Sequence, residues 1–147
     1  MTILRKGILV LPLLIFTGCA DADLDKVAKG LNEAAITVGT LQSTTIEANN
    51  QQLISEGDTR AILTACLQVD KAGKEAVAVT RQISALSPND RTKILNILTP
   101  VIASVDRLVA QGVLNIQDQQ TRVGIQALLL SLQTSLNVVQ ITLSSGG

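Results

Sequence analysis

From residue 21 onward, apolar side chains return every three or four positions almost without a break. Leu24, Ala28, Leu31, Ala35, Val38, Leu41, Thr45 and Ala48 make the first stripe, and Ile62, Cys66, Val69, Gly73, Val77, Thr80 and Ile83 the second. Ile94, Leu98, Val101, Val105, Leu108 and Val109 form a third, and Ile125, Leu129, Leu132, Leu136, Val139 and Leu143 a fourth. That spacing keeps one side of a helix turned toward a core, whereas strands would alternate and be bounded by hairpin turn pairs. Four helices are therefore predicted, over roughly 22–54, 58–86, 88–112 and 118–143.

The punctuation between stripes agrees. Asp21, Asp23 and Asp25 put negative charge where a helix dipole begins. Gly57 followed by Asp58 reads as a stop and a new N-cap. Ser87-Pro88-Asn89-Asp90 offers a cap, a proline at the first helical position and an acid three residues after the cap. Gly112 closes the third stripe, Asp118 opens the fourth, and Ser144-Ser145-Gly146-Gly147 is expected to fray. Pro100 falls inside the third stripe. An interior proline loses one backbone hydrogen bond at a cost of about 3 kcal/mol, which predicts a bend near Leu98-Thr99, with Thr99 able to cap a second segment. Short turns between long helices make antiparallel neighbours, so the predicted fold class is all-α: an antiparallel up-down-up-down four-helix bundle after an N-terminal leader.

Two finer patterns stand out. Thr59-Arg60 and Thr121-Arg122 match at an offset of 62, as do Ile54 with Ile116 and Leu63 with Ile125. A duplicated helical hairpin and shared capping chemistry both account for this. The first two helices are also rich in small residues, among them Ala28, Ala35, Gly39, Ala72 and Gly73, which permit close helix approach. Because Gly costs about 1 kcal/mol against Ala inside a helix, Gly39 and Gly73 mark either a packing requirement or a tolerated weak spot.

The first eighteen residues follow other rules. Arg5 and Lys6 are followed by nine apolar residues, Ile8 to Phe16, then Thr17-Gly18 and Cys19. Nine residues are too few for a bilayer core that needs about 20, and the order matches a secretory signal. Phe16-Thr17-Gly18-Cys19 resembles the lipobox of bacterial lipoproteins, with Phe16 standing where that family favours Leu. The resemblance covers about nineteen residues. It implies that residues 1–18 are a cleaved signal peptide, that the Cys19 thiol carries diacylglycerol and its freed amino group an acyl chain such as palmitate. It also implies an envelope location facing the periplasm, with Ala20 after the cysteine leaning toward the outer membrane over the inner. An ordinary signal peptide with an incidental cysteine, or an apolar first helix, fits the same residues.

Composition then removes whole classes of chemistry. The 147 residues contain no His, Trp or Tyr and a single Phe, Phe16. Without His there is no Ser/His/Asp or Cys/His centre and no His-based metal site. Twelve basic and twelve acidic side chains, with one aromatic ring, do not make a nucleic-acid reader. Paired carboxylates can act alone in glycosidases, but the acids here gather at helix starts, where capping explains them. Asp70, Lys71, Lys74 and Glu75 read as a solvated patch with pairs four apart. No cofactor, no metal and no enzymatic activity are expected. Cleavage after Gly18 would leave 129 residues without an aromatic ring and with 10 basic against 12 acidic side chains. Cys66, on the second apolar stripe, is then the sole free thiol and is expected to be buried and inert.

The remaining anomaly is the last helix, which carries no charge after Arg122. Gln126, Gln133, Asn137 and Gln140 step by seven, four and three and share one side of it. That side is either a plain solvated face, the candidate contact surface for a partner or a second copy, or part of a membrane-inserting helix that these amides interrupt. The leading expectation is a lipid-anchored cell-envelope protein, bound to the membrane through Cys19, that serves as a non-catalytic binding or structural module. One alternative is a carrier holding an apolar ligand in the bundle core. Another is a phage-encoded envelope lipoprotein with an exclusion or lysis role. Phage spanin subunits of that kind are short and proline-rich, whereas this chain has 3 Pro.

Overall fold

The computed structural model describes residues 21–111 and 116–145. The proposed leader with Cys19 and the C-terminal Gly146-Gly147 lie outside the described residues, as does Gly112. Four helices are present: α1 (Ala22–Asn50), α2 (Glu56–Thr80), α3 (Pro88–Ala110) and α4 (Gln119–Ser144). Each packs on two neighbours, α1 on α2 and α4, α3 on α2 and α4, so that α1 faces α3 and α2 faces α4 across the core. The fold is an all-α four-helix bundle, as the periodicity predicts.

Local chemistry sets the ends. Asp21 caps α1 by accepting from the Asp23 N–H at 3.1 Å. Ser87 and Asp90 form a reciprocal capping box with Pro88 in the first turn, and Asp118 caps α4 through the Thr121 N–H at 2.7 Å. The α1–α2 junction differs from the sequence expectation. The stripe predicts α1 to about residue 54, but the helix ends at Asn50 and Gln52 takes a left-handed φ of 58°. The Leu53 N–H then bonds Ala48 O and the Gln52 N–H bonds Asn49 O, so two carbonyls of the last turn are satisfied without a glycine. Ser55, not Asp58, is the cap of α2, accepting from the Asp58 N–H at 3.0 Å with Gly57 inside the first turn. Likewise α2 ends at Thr80, and residues 81–87 form a linker whose Leu86 is buried.

Helix α3 is continuous across Pro100, and Thr99 caps no second segment: its hydroxyl donates back to Leu95 O at 2.7 Å. Pro100 and Asn96, whose carbonyl loses its helical partner, both lie on the exposed side of α3. The core is aliphatic throughout. Its largest fully buried side chains include Leu41, Ile62, Ile94, Leu98, Leu129 and Leu132. Ile54 and Ile116, which align in the possible repeat, are both buried just ahead of α2 and α4.

The starts of α1 and α3, the 81–87 linker and the last turn of α4 meet at one end. There the Leu86 N–H donates to Asp21 Oδ2 at 2.9 Å. Arg91 donates through Nη1 to Thr142 O and through Nη2 to Asp23 Oδ2, both at 2.8 Å.

Candidate functional site

Helix α4 turns Ile125, Leu129, Leu132, Leu136, Val139 and Leu143 into the core. The four amides share a side, as their spacing requires, but that side is a flank and not the outermost line. Gln126 is exposed, while Gln133, Asn137 and Gln140 are half-buried. Gln133 Nε2 donates to Asp106 Oδ1 of α3 at 2.8 Å, which places this amide row along the α3 side of α4.

Directly opposite the core stripe is a different set. Val123, Leu130, Val138 and Ile141 are 57%, 44%, 46% and 64% exposed. They are four of the seven large apolar side chains exposed among the described residues, the others being spread over α1 and α2. This explains why α4 lacks charge: it is apolar toward the core and again toward solvent. Among the described residues it is the one helix long and apolar enough to cross a membrane, although its core stripe is packed within the bundle. The signal for the outer line was present in the spacing, since residues opposite a core stripe follow once that stripe is phased.

The small residues of α1 and α2 have another consequence. A side-chain carbon at Gly39 or Gly73 would meet nothing within 4 Å, so neither glycine permits a close approach. The tight site is Gly30, where such a carbon would stand 2.5 Å from Val139 Cγ2 and 3.4 Å from Ser135 O. Between α1 and α2, Ala28, Ala35, Gly73 and Val77 instead line an open cleft of about 590 Å³. Its rim carries the exposed Lys74–Asp70 ion pair at 2.6 Å, four residues apart as the spacing predicts.

Cys66 is fully buried, and burial pushes its thiol up to about 11, far from the thiolate a reactive cysteine needs. Of the acids at the helix starts, Asp21 and Asp118 are caps and Asp90 completes the capping box of α3, whereas Asp23 pairs with Arg91. Asp21 is held below the usual carboxylate range, first by the Leu86 N–H and then by the Asp23 N–H, with the Arg91 charge assisting. Asp118 is lowered by its bonds from Thr121. Among the described residues no three Asp, Glu or Cys side chains converge. Comparison with family models, with curated proteins and with solved structures finds no match, so the function of this bundle has to be read from its own residues.

Proposed function

We propose that the chain is a lipid-anchored protein of the bacterial cell envelope whose helical bundle acts by binding and not by chemistry. The observation that carries this reading is the position of Cys19. The basic, apolar and small residues of 5–18 end on it, and the capped, hydrogen-bonded fold begins two residues later at Asp21. With Cys19 acylated, the end of the bundle that holds Asp21, Leu86 and Thr142 faces the bilayer. Three acyl chains exceed the two signals that stable anchoring needs. Intact-mass measurement of membrane-extracted protein tests the reading. It is expected to give a chain that starts at an acylated Cys19, and Cys19→Ser is expected to accumulate unprocessed. An unmodified full-length chain in the soluble fraction overturns it.

A second reading, carriage of an apolar chain, is favoured by one observation: the cleft of about 590 Å³ between α1 and α2. That volume is within the range of small-molecule pockets, about 300–1,000 Å³. Saturable binding of a fluorescent fatty acid that Gly73→Leu abolishes would establish it.

A further inference from the structure

The outer line of α4 follows a seam pattern: Val123, Ala127, Leu130, Thr134, Val138 and Ile141 step by four, three, four, four and three. We propose that this line is where a second copy of the chain docks, α4 against α4, the two helices running parallel.

The first support is that the threonine hydroxyls on and beside this line are already bonded within their own helices. Thr134 Oγ1 donates to Leu130 O at 2.8 Å within its own helix. The neighbouring edge of α1 repeats the device. Thr37 stands two turns beyond Gly30, the residue packed on Val139, and so on the α4 side; Thr40 continues that line. Their hydroxyls donate to Glu33 O at 2.9 Å and Ile36 O at 3.2 Å. Covering these threonines therefore strands no donor, which removes the usual penalty for burying hydroxyls.

The second is charge. No charged residue stands on α4 after Arg122, or on α1 between Glu33 and Glu47. The outer surfaces of the other helices are different, with Lys71 and Glu75 exposed on α2 and Lys93 and Arg107 on α3. A face without charge selects no charged partner, and it meets its own copy without like-charge repulsion. A bilayer suits it less, because helices that lie on membranes carry Lys and Arg beside the apolar face. Here Arg122 at one end is the sole basic residue of the helix.

The third is area. The 26 residues of α4 span about 39 Å, and a strip about 10 Å wide along them offers about 390 Å². The uncharged stretch of α1 adds about 200 Å², for about 1,200 Å² over both partners, the lower end of specific interfaces. Such a pair is weak when free and gains from confinement on one membrane. The direction rests on the anchor reading: both copies enter the same bilayer at the Asp21 end only when their α4 helices run parallel.

The test uses the full chain. Ile141→Cys, oxidised in intact membranes before extraction, is expected to give a disulfide-linked dimer, because parallel helices bring that position beside itself. Cys66 is buried and stays out of the reaction. In sedimentation of extracted protein, the unsubstituted chain is expected to be a dimer at tens of micromolar. The double substitution Leu130→Lys, Val138→Lys should raise the dissociation constant about a hundredfold, with an unchanged helical circular dichroism spectrum. Linkage that requires Val123→Cys together with Ile141→Cys overturns the parallel direction. A monomeric unsubstituted chain, or a double variant that still dimerises, overturns the pairing. So does Cys19→Ser protein that floats with phosphatidylcholine vesicles until the two lysines release it, since the face then belongs to lipid. The mass at Cys19 is a separate measurement, so loss of the anchor and loss of the pairing are told apart.

Discussion

Arg91 of α3 and Asp23 of α1 form the one ion pair that joins two helices among the described residues, Nη2 to Oδ2 at 2.8 Å. The Arg91 side chain is 11% exposed and also donates to Thr142 O in the last turn of α4, where a cation opposes the negative end of the helix dipole. One guanidinium thereby ties three helices at the end where α1 and α3 begin and α4 ends. Its planar fork is what allows two acceptors on different helices, and a lysine ammonium does not reproduce that span. Arg91→Ala is expected to lower unfolding stability by about 2 kcal/mol, and Arg91→Lys to recover less than half of that. Asp23→Asn should cost less than either alanine or lysine, because its carboxylate is partly hydrated and the Thr142 bond survives. Urea denaturation followed by circular dichroism reads all three.

Acid should loosen the same end. The Asp21 carboxyl lies below its usual range in the folded chain because it accepts from Leu86 N–H and Asp23 N–H. A carboxylate with a depressed folded value stabilises the fold above its unfolded value, about 3.9, and that contribution disappears as pH falls through the folded one. Asp118 acts in the same direction at the other end of the bundle. Midpoints of thermal unfolding are therefore expected to hold steady near neutrality and to drop below about pH 4. Asp21→Asn should flatten that drop while lowering the neutral midpoint. An equal acid limb in both proteins would show that other carboxylates carry it.

The parts of this fold that were legible in the sequence are those a few neighbouring residues decide. Ser87, Pro88 and Asp90 suffice for the start of α3, and the structure has that capping box. The α1–α2 junction is harder because Ser55 and Asp58 both suit an N-cap. Ser55 takes the role because the chain leaves the helix after Asn50, and Ile54, out of phase with the α1 stripe, turns into the core just ahead of it. On α4 the spacing correctly puts four amides on one side, but the orientation of that side depends on where α3 lies. Gln133 finds Asp106, 27 residues away, and no local pattern encodes that bond. The glycines follow the same division. Gly39 and Gly73 are conspicuous as mid-helix glycines, yet the close contact belongs to Gly30, whose neighbour Val139 lies on the last helix.

Cys66 offers a direct probe of core integrity. Its side chain is fully buried and its thiol is raised to about 11, so both access and thiolate fraction oppose reaction at pH 8. A chromogenic disulfide reagent is expected to leave the native protein unlabelled at this position for hours and to label it at once in denaturant. Prompt labelling of the native chain at Cys66 would mean that α2 opens readily.

Two glycine substitutions of identical chemistry should move stability in opposite directions. Gly73 lies in the interior of α2 with open space where a side-chain carbon would go. Gly73→Ala therefore gains helix propensity without a clash and is expected to stabilise the bundle by about 1 kcal/mol or less. Gly30 is equally interior to α1, so alanine brings the same gain in propensity. There, however, the added carbon would stand 2.5 Å from Val139 Cγ2 and against Ser135 O. Val139 is β-branched and fully buried, so it has little rotamer freedom with which to yield, and the α1–α4 spacing must widen. Overpacking of this kind costs about 1–3 kcal/mol, which outweighs the propensity term and leaves Gly30→Ala destabilised. Gly30→Ala combined with Val139→Ala removes the clashing methyls and should recover the strain while losing buried area, leaving a double-mutant coupling of about 1 kcal/mol or more. Thermal or urea unfolding of the four proteins measures that coupling, and additive effects would mean that α1 and α4 do not meet at these residues.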